Sequence, residues 1–237
     1  MRSLQEMDPD CRKGPNYKGC KLRTIHRYRF QLIVITLLLL AGSLTAWASE
    51  QPRDAEQPRL QAPGGIEMDF LKNIAKCYGS DAKPAEASWT DTILTANYFE
   101  YDRSRQLVRA KGHVRVVQKQ DNDSLISESA SLEWDRLDDR LELTGNPHFT
   151  FDGWKIDCAR LEGRVNKGLF TFYGPVQGNN HETSLQAGEM ILDRGASKLY
   201  LRDNPVVTQG KNRFTAAVIV YDLKTKKAYS ESETTLN

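Results

Sequence analysis

One sequence pattern is written four times along the last 140 or so residues, and it limits the folds open to this chain. Each copy has an Ala, then an aromatic residue or Leu followed by Asp, a charged turn, a Leu, and a Gly or Asn with Pro or Val just after. The copies run from Ala96 through Tyr101-Asp102 and Leu107 to Gly112-His113-Val114, and from Ala130 through Trp134-Asp135 and Leu141 to Gly145-Asn146-Pro147. A degenerate third runs from Ala159 through Gly163 and Leu169 to Gly174-Pro175-Val176, and a fourth from Ala187 through Leu192-Asp193 and Leu199 to Asn204-Pro205-Val206. A fifth opens at Ala217 with Tyr221-Asp222. A fixed period of about 30 residues marks one supersecondary unit reused in a stack, because a single unit cannot bury its own apolar face. Function is therefore expected in the stacked surface and not in one isolated site.

The apolar residues within each unit recur at a period of two, not 3.6. From Leu141 onward, Leu141, Leu143, Gly145, Pro147, Phe149 and Phe151 fall on one face, and Glu142, Thr144, Asn146, His148, Thr150 and Asp152 on the other. The same alternation sets Val108, Ala110, Gly112, Val114 and Val116 against Arg109, Lys111, His113 and Arg115, and Phe214, Ala216, Val218 and Val220 against Arg213, Thr215 and Ala217. This is the signature of half-buried strands. Between them lie Asp102-Arg103-Ser104-Arg105, Asp135-Arg136-Leu137-Asp138-Asp139 and Asp193-Arg194-Gly195-Ala196-Ser197. Asp and Gly there supply the local hydrogen bond and permissive backbone of a chain reversal. Each repeat reads as strand, turn, strand, and roughly ten short strands predict an all-β sandwich, jelly roll or barrel.

The front of the chain is different. Arg23, Arg27 and Arg29 precede an apolar core from Leu32 to Ala41, and Ala46-Trp47-Ala48 offers a small-x-small cleavage pattern. Residues 1–48 read as an export signal with a long basic leader. The rival is an uncleaved membrane anchor, since Phe30 to Trp47 is just long enough to span, although Gln31, Thr36, Gly42, Ser43 and Thr45 weaken it as a bilayer helix. Leu39-Leu40-Ala41-Gly42 opens like a lipoprotein box, but Ser43 stands where the lipidated Cys would be.

Of the 33 basic and 31 acidic residues, eight and three fall in this leader, which leaves the remainder with 25 and 28 and a net charge near −3. A nucleic-acid binder would keep its basic excess in the folded part, so DNA and RNA are excluded as ligands. Residues 49–88 carry Pro52, Pro58, Pro63 and Pro84 and read as a linker, in which Ile66, Phe70, Ile74 and Cys77 at helical spacing predict one short amphipathic helix. Two cysteines, Cys77 and Cys158, follow the leader. In an exported chain such a pair can form a disulfide; alternatively Cys158, on the inward face with Trp154 and Ile156, is simply a small buried residue. No CxxC or Cys/His spacing points to a metal, and no cofactor motif is present.

Catalytic signatures are missing as well: no Gly-x-Ser-x-Gly, no His-Glu-x-x-His and no phosphate loop. Of His113, His148 and His181 the first two fall on outward strand positions, and Asp102, Asp135, Asp193 and Asp222 each begin a turn, where Asp serves the backbone. The chain does not read as an enzyme. What remains is the inner face: Val114, Val116, Leu132, Trp134, Leu141, Leu143, Phe149, Phe151, Trp154, Ile156, Phe170, Phe172, Leu199, Leu201, Phe214 and Val218. An ordinary sandwich core accounts for them. Two sheets that splay apart would instead make them an apolar trough for acyl chains, each buried methylene contributing about 0.8 kcal/mol.

The units "ANYFEYDRSRQLVRAKGHVRVVQ" and "ASLEWDRLDDRLELTGNPHFTFDGWKIDCARLEG" resemble those of the OstA-like family of lipopolysaccharide-transport proteins, whose members include LptA and LptC. The likeness covers about residues 89–237. It implies a twisted antiparallel β-jelly roll whose apolar interior, lined by the residues just named, carries the lipid A part of lipopolysaccharide across the periplasm. It also implies head-to-tail assembly, with edge strands pairing to jelly-roll domains of neighbours or to further copies of the chain. The long leader, the linker and the two cysteines depart from the family pattern and leave open a soluble bridge or an inner-membrane-tethered subunit. Two other readings stay open from the residues: a parallel β-solenoid scaffold that polymerises without lipid, and a carbohydrate-active jelly roll, for which convergent carboxylates are not found.

Overall fold

The computed structural model describes residues 56–120 and 123–230; the export signal read in residues 1–48 lies outside the described residues. Among the described residues nineteen strands follow one another: β1 (Arg59–Gln61), β2 (Ile66–Asp69), β3 (Ile74–Tyr78), β4 (Ala85–Ser88), β5 (Thr92–Ala96), β6 (Tyr98–Asp102), β7 (Leu107–Gln120), β8 (Asp123–Asp135), β9 (Arg140–Thr144) and β10 (His148–Phe151). After these come β11 (Trp154–Asp157), β12 (Arg160–Arg164), β13 (Leu169–Asn179), β14 (Thr183–Asp193), β15 (Lys198–Arg202), β16 (Val206–Gln209), β17 (Asn212–Thr215), β18 (Ile219–Asp222) and β19 (Lys227–Ser230). Every pairing among them is antiparallel, which removes the parallel solenoid.

The pairings resolve into two layers that share four long strands. The first half of β7 pairs with β6 and its second half with β5. In β8 the first half pairs with β10 and the second with β9, and β13 and β14 divide in the same way. One layer therefore runs β2-β3-β6-β7-β8-β9-β12-β13-β14-β15-β18-β19, and the other β1-β4-β5-β7-β8-β10-β11-β13-β14-β16-β17. This is a jelly roll: one continuous antiparallel sheet folded over onto itself.

The repeat explains the fold line. Register shifts interrupt the β7–β8 pairing between Lys111 and Val114 and the β13–β14 pairing between Tyr173 and Val176. Gly112, Gly145 and Gly174 sit on this line with φ of +75°, +82° and +93°. At Gly145 and Gly174 the missing side chain is also a steric need, because a Cβ would lie 2.4 Å and 2.6 Å from the Cβ of Ala130 and Ala159. The Ala that opens each of these units thus packs against the Gly that closes it, and bulged backbone there turns each strand from one layer into the other.

The turns form the opposite border of the first layer. The Asp102 carboxylate accepts from the N–H of Ser104 and Arg105 at 2.9 and 3.0 Å, and Asp135 from Leu137 and Asp138 at 3.1 and 3.0 Å. Asp222 accepts from Lys224 and Thr225 at 3.0 and 2.8 Å, which holds its carboxyl below the usual range. Each turn ends on a left-handed residue: Gln106, Asp139, Gly168, Ser197 or Lys226. Adjacent turns are bonded as well, Arg136 N–H to the Gln106 carbonyl at 3.2 Å, Arg194 to Gly168 at 3.0 Å and Leu223 to Ser197 at 2.9 Å.

This turn corrects the predicted linker helix. Asp69 accepts from Leu71 and Lys72 at 3.1 and 3.0 Å, Asn73 is left-handed at φ +57°, and Arg103 N–H reaches the Asn73 carbonyl at 3.1 Å. Ile66–Cys77 is therefore a sixth copy of the unit, the β2–β3 hairpin. The helical spacing of Ile66, Phe70, Ile74 and Cys77 is a coincidence of two strands and a tip, and Phe70 and Leu71 at that tip are 85% and 100% exposed. Among the described residues strands thus begin at Arg59, ahead of the start of the jelly roll expected at residue 89.

Of the two readings open for the cysteines, the structure has the buried one: Cys77 and Cys158 are free and buried and form no disulfide. They sit in different parts of the roll, Cys77 opposite Phe99 of β6 and Cys158 against the Pro147 carbonyl, 3.8 Å from its Sγ. Desolvation pushes their thiols up to about 11 and about 12. Both are expected to resist a thiol reagent at pH 8 in the native protein and to react at once in denaturant; rapid labelling of either without denaturant would contradict their burial.

Candidate functional site: the slot between the layers

The inner faces of the two layers meet over a continuous apolar surface. Of the sixteen residues expected there, Val114, Val116, Leu132, Trp134, Leu141, Leu143, Phe149, Phe151, Trp154, Ile156, Phe170, Phe172, Leu199 and Leu201 are all buried in a single cluster. Phe149 stands at its centre, with ring centroids 5.0 Å from Phe170 and 5.3 Å from Phe172. Phe214 and Val218 depart from the set. The alternation read through Phe214 and Val220 is broken at residues 216–218, between β17 and β18. Phe214 stands opposite Val207, so it keeps the inward face, yet it is 36% exposed because β17 is an edge strand.

The slot has two unlike borders. Along one, the bulged strands pass from layer to layer and join the sheets covalently. Along the other, the Asp turns of the first layer face the hairpin tips of the second, and among the described residues side-chain contacts bridge them. Two clasps do so. In the first, Trp89 from the β4–β5 tip packs on Tyr101 and Trp134, with centroids 6.4 and 5.5 Å apart. The Arg136 guanidinium lies over both indoles, 4.6 Å from the Trp89 ring and 5.1 Å from the Trp134 ring. Desolvation lowers the Arg136 pKa while Tyr101, Glu56 and Asp91 act in the other direction, and the group stays charged. Residues just ahead of β1 strap this clasp, the Glu56 carbonyl accepting from Arg136 Nη1 at 3.2 Å and its carboxylate from Thr90 N–H at 2.6 Å. In the second clasp Trp154, at the β10–β11 tip, packs edge-on to Tyr221 at 5.4 Å. Tyr221 Oη lies 3.4 Å from Thr183 Oγ1, and Lys226 pairs with Glu182 at 3.8 Å.

Between the clasps a pocket among the described residues enters the slot, lined by Val116, Leu125, Trp134, Leu141, Phe149 and Phe170, with Thr92, Gln118 and Ser127 at its polar side. Its volume of about 20 Å³ is room for roughly one water and not for an acyl chain. Among the described residues this pocket is no open trough of the kind two splayed sheets would leave, and the inward side chains around it are buried in one cluster.

At each end of the roll, inward side chains on edge strands lack a covering strand. Ile66 of β2 stands opposite buried Cys77 but is 46% exposed, mirroring Phe214 at the other end. The outer faces are polar. Arg109–Glu133 and Arg115–Glu128 pair across β7 and β8 at 3.0 and 3.1 Å, His113 contacts Asp81 at 2.7 Å, and His148 pairs with Asp157. Among the described residues no group of three His, Cys, Asp or Glu side chains is placed to hold a metal, and no helix is long and apolar enough to cross a membrane.

The sequence reading missed Trp89, Tyr101, Arg136 and Tyr221 as functional candidates. Asp-Arg occurs at Asp102-Arg103, Asp135-Arg136 and Asp193-Arg194 alike, so nothing local distinguishes Arg136. It is set apart by Trp89, which arrives from the other layer.

Comparison with known proteins gives one family and one solved structure to which the chain is similar. The model of the family described as LptA/(LptD N-terminal domain) LPS transport protein matches residues 93–227. Among solved structures, the chain is similar to LptH of Pseudomonas aeruginosa, the LptA homologous periplasmic component of that organism's lipopolysaccharide transport device. The identity is 18%, the TM-score 0.42, and the match covers 47% of this chain and 78% of that one. No curated protein matches the chain in sequence.

Proposed function

The chain belongs to the LptA/LptD N-terminal-domain family of lipopolysaccharide-transport proteins, and from that premise we propose that it is a periplasmic carrier that shields the acyl chains of lipid A in the slot between its layers. The observation that carries this reading is the asymmetry of the slot: an apolar surface running between layers joined covalently along one border and by side-chain clasps along the other. Parting the clasps exposes apolar surface, and acyl chains then replace the lost contacts at about 0.8 kcal/mol per buried methylene. No reacting group is needed for that exchange. Export by the leader places the protein in the periplasm, and an uncut leader would tether it to the inner membrane.

Partners follow from the ends of the roll. Among the described residues the edges of β1, β2, β17 and β19 have no partner strand, and with Ile66 and Phe214 uncovered beside them they suit pairing with like domains of a transport bridge or with further copies of this chain.

A photo-crosslinking residue at Phe149 is expected to capture lipopolysaccharide in cells, and one at His148, the next residue on the outer face, to capture at least about tenfold less. Equal capture at both positions would overturn the carrier reading. So would a purified protein free of lipid by native mass spectrometry that forms filaments, which would favour a polymerising scaffold.

A further inference from the structure

The first clasp holds hydrogen-bond donors that have no matching acceptors. The indole N–H groups of Trp89 and Trp134 are buried, their side chains only 6% and 5% exposed, and neither finds an acceptor among the described residues. A buried donor left unpaired is costly, and two side by side mark a place where an acceptor is missing. Among the described residues Arg136 has no carboxylate within ion-pair distance and feels Glu56 and Asp91 only through space, whereas Arg109, Arg115 and Arg160 on the outer faces each pair with a glutamate at 3.0 to 3.1 Å. Its partner is the Glu56 main-chain carbonyl, on a segment that precedes the first ladder pairing at Arg59. One cation and two unpaired N–H groups meet here, with the Glu56 and Asp91 carboxylates close enough to act on the cation, and Trp134 also lines a pocket with Phe149.

We propose that Arg136, Trp89 and Trp134 form the subsite for a phosphate monoester on the head group of the carried glycolipid, with its acyl chains in the slot behind Trp134. A phosphate offers three acceptor oxygens and a counter-charge in direct contact, where Glu56 and Asp91 act on Arg136 only through space, and a planar guanidinium held over aromatic rings presents its N–H fork to such a group. Binding exchanges the Glu56 carbonyl for a phosphate oxygen, so the segment at Glu56 lifts and takes its carboxylate away from the site. Loading then frees the strap at Glu56 and leaves the two indoles together beside Arg136. The inference rests on the carrier reading and adds to it where the head group sits.

The test is a titration of the full-length protein, read by indole fluorescence, with three probes: a bis-phosphorylated acylated glucosamine disaccharide, the same lipid with both phosphates removed, and inorganic phosphate. The phosphorylated lipid is expected to bind roughly 10- to 100-fold tighter than the dephosphorylated one. R136Q should bind the two lipids alike, at the dephosphorylated affinity, and R136K should keep part of the preference. W134F, which retains an aromatic ring and removes the N–H, should reduce the preference severalfold without touching the cation. Wild-type preference surviving in R136Q would overturn the subsite, as would wild-type protein that binds both lipids equally; the carrier reading would stand in either case. Binding of neither lipid would overturn the carrier reading itself. A full response to inorganic phosphate at the same concentration would reassign the site to the free ion.

Discussion

Replacing Gly145 by valine is expected to destabilise the protein by about 3–5 kcal/mol, a large share of the roughly 5–15 kcal/mol that holds a typical domain folded. Gly145 has φ +82°, where a β-branched side chain is strained, and its added Cβ would lie 2.4 Å from the Cβ of Ala130. Neither atom can retreat, because Ala130 lies in β8 where that strand crosses from one layer to the other. Gly153 supplies the control, with φ +74° and no atom within 4 Å of its would-be Cβ. G153V should carry only the conformational penalty, about 1–2 kcal/mol. Urea melts of the two variants separate strain from collision; equal losses would show that the packing of Ala on Gly does not build the fold line.

The second large effect is expected at the other border. Trp154 is buried against Tyr221, and its truncation to alanine should cost about 3–5 kcal/mol and lower the melting temperature by roughly 10 °C. The same variant loses a bridge between layers, so it should take up an apolar fluorescent dye at temperatures where the wild type does not. W154F should recover most of both properties. Loss of stability with no gain in dye uptake would mean that the second clasp does not govern the opening of the slot.

Much of this was legible in the residues. A period of two with polar outer positions determined fourteen of the expected inward side chains, because the side-chain direction in a strand depends on parity alone. The Asp at the head of each turn was readable for a similar reason, since its carboxylate bonds N–H groups two and three residues on, within the same short segment. Misreadings arose where the decisive partner was distant. The unit at Asp69 lacks the Gly or Asn followed by Pro or Val, and its tip carries Phe70 and Leu71 in place of charged residues, so helical spacing outweighed its Asp and Asn. Phe214 was assigned the correct face but the wrong environment, since exposure at an edge depends on which strand comes last. The clasps were invisible because Trp89 and Trp134, or Trp154 and Tyr221, meet only when two layers close. Whether that closure leaves a trough or a packed seam depends on side-chain volumes that alternation does not encode.

Each turn along the border bonds to the turn before it, and the contacts of a unit go largely to its immediate neighbours. Such a chain behaves as a row of cassettes. Duplicating one would insert two strands in each layer with compatible register on both sides, lengthening the molecule by about 10 Å. Relatives that carry larger glycolipids, or reach across wider gaps, are therefore accessible by copy number alone, with no redesign of the parts already in place.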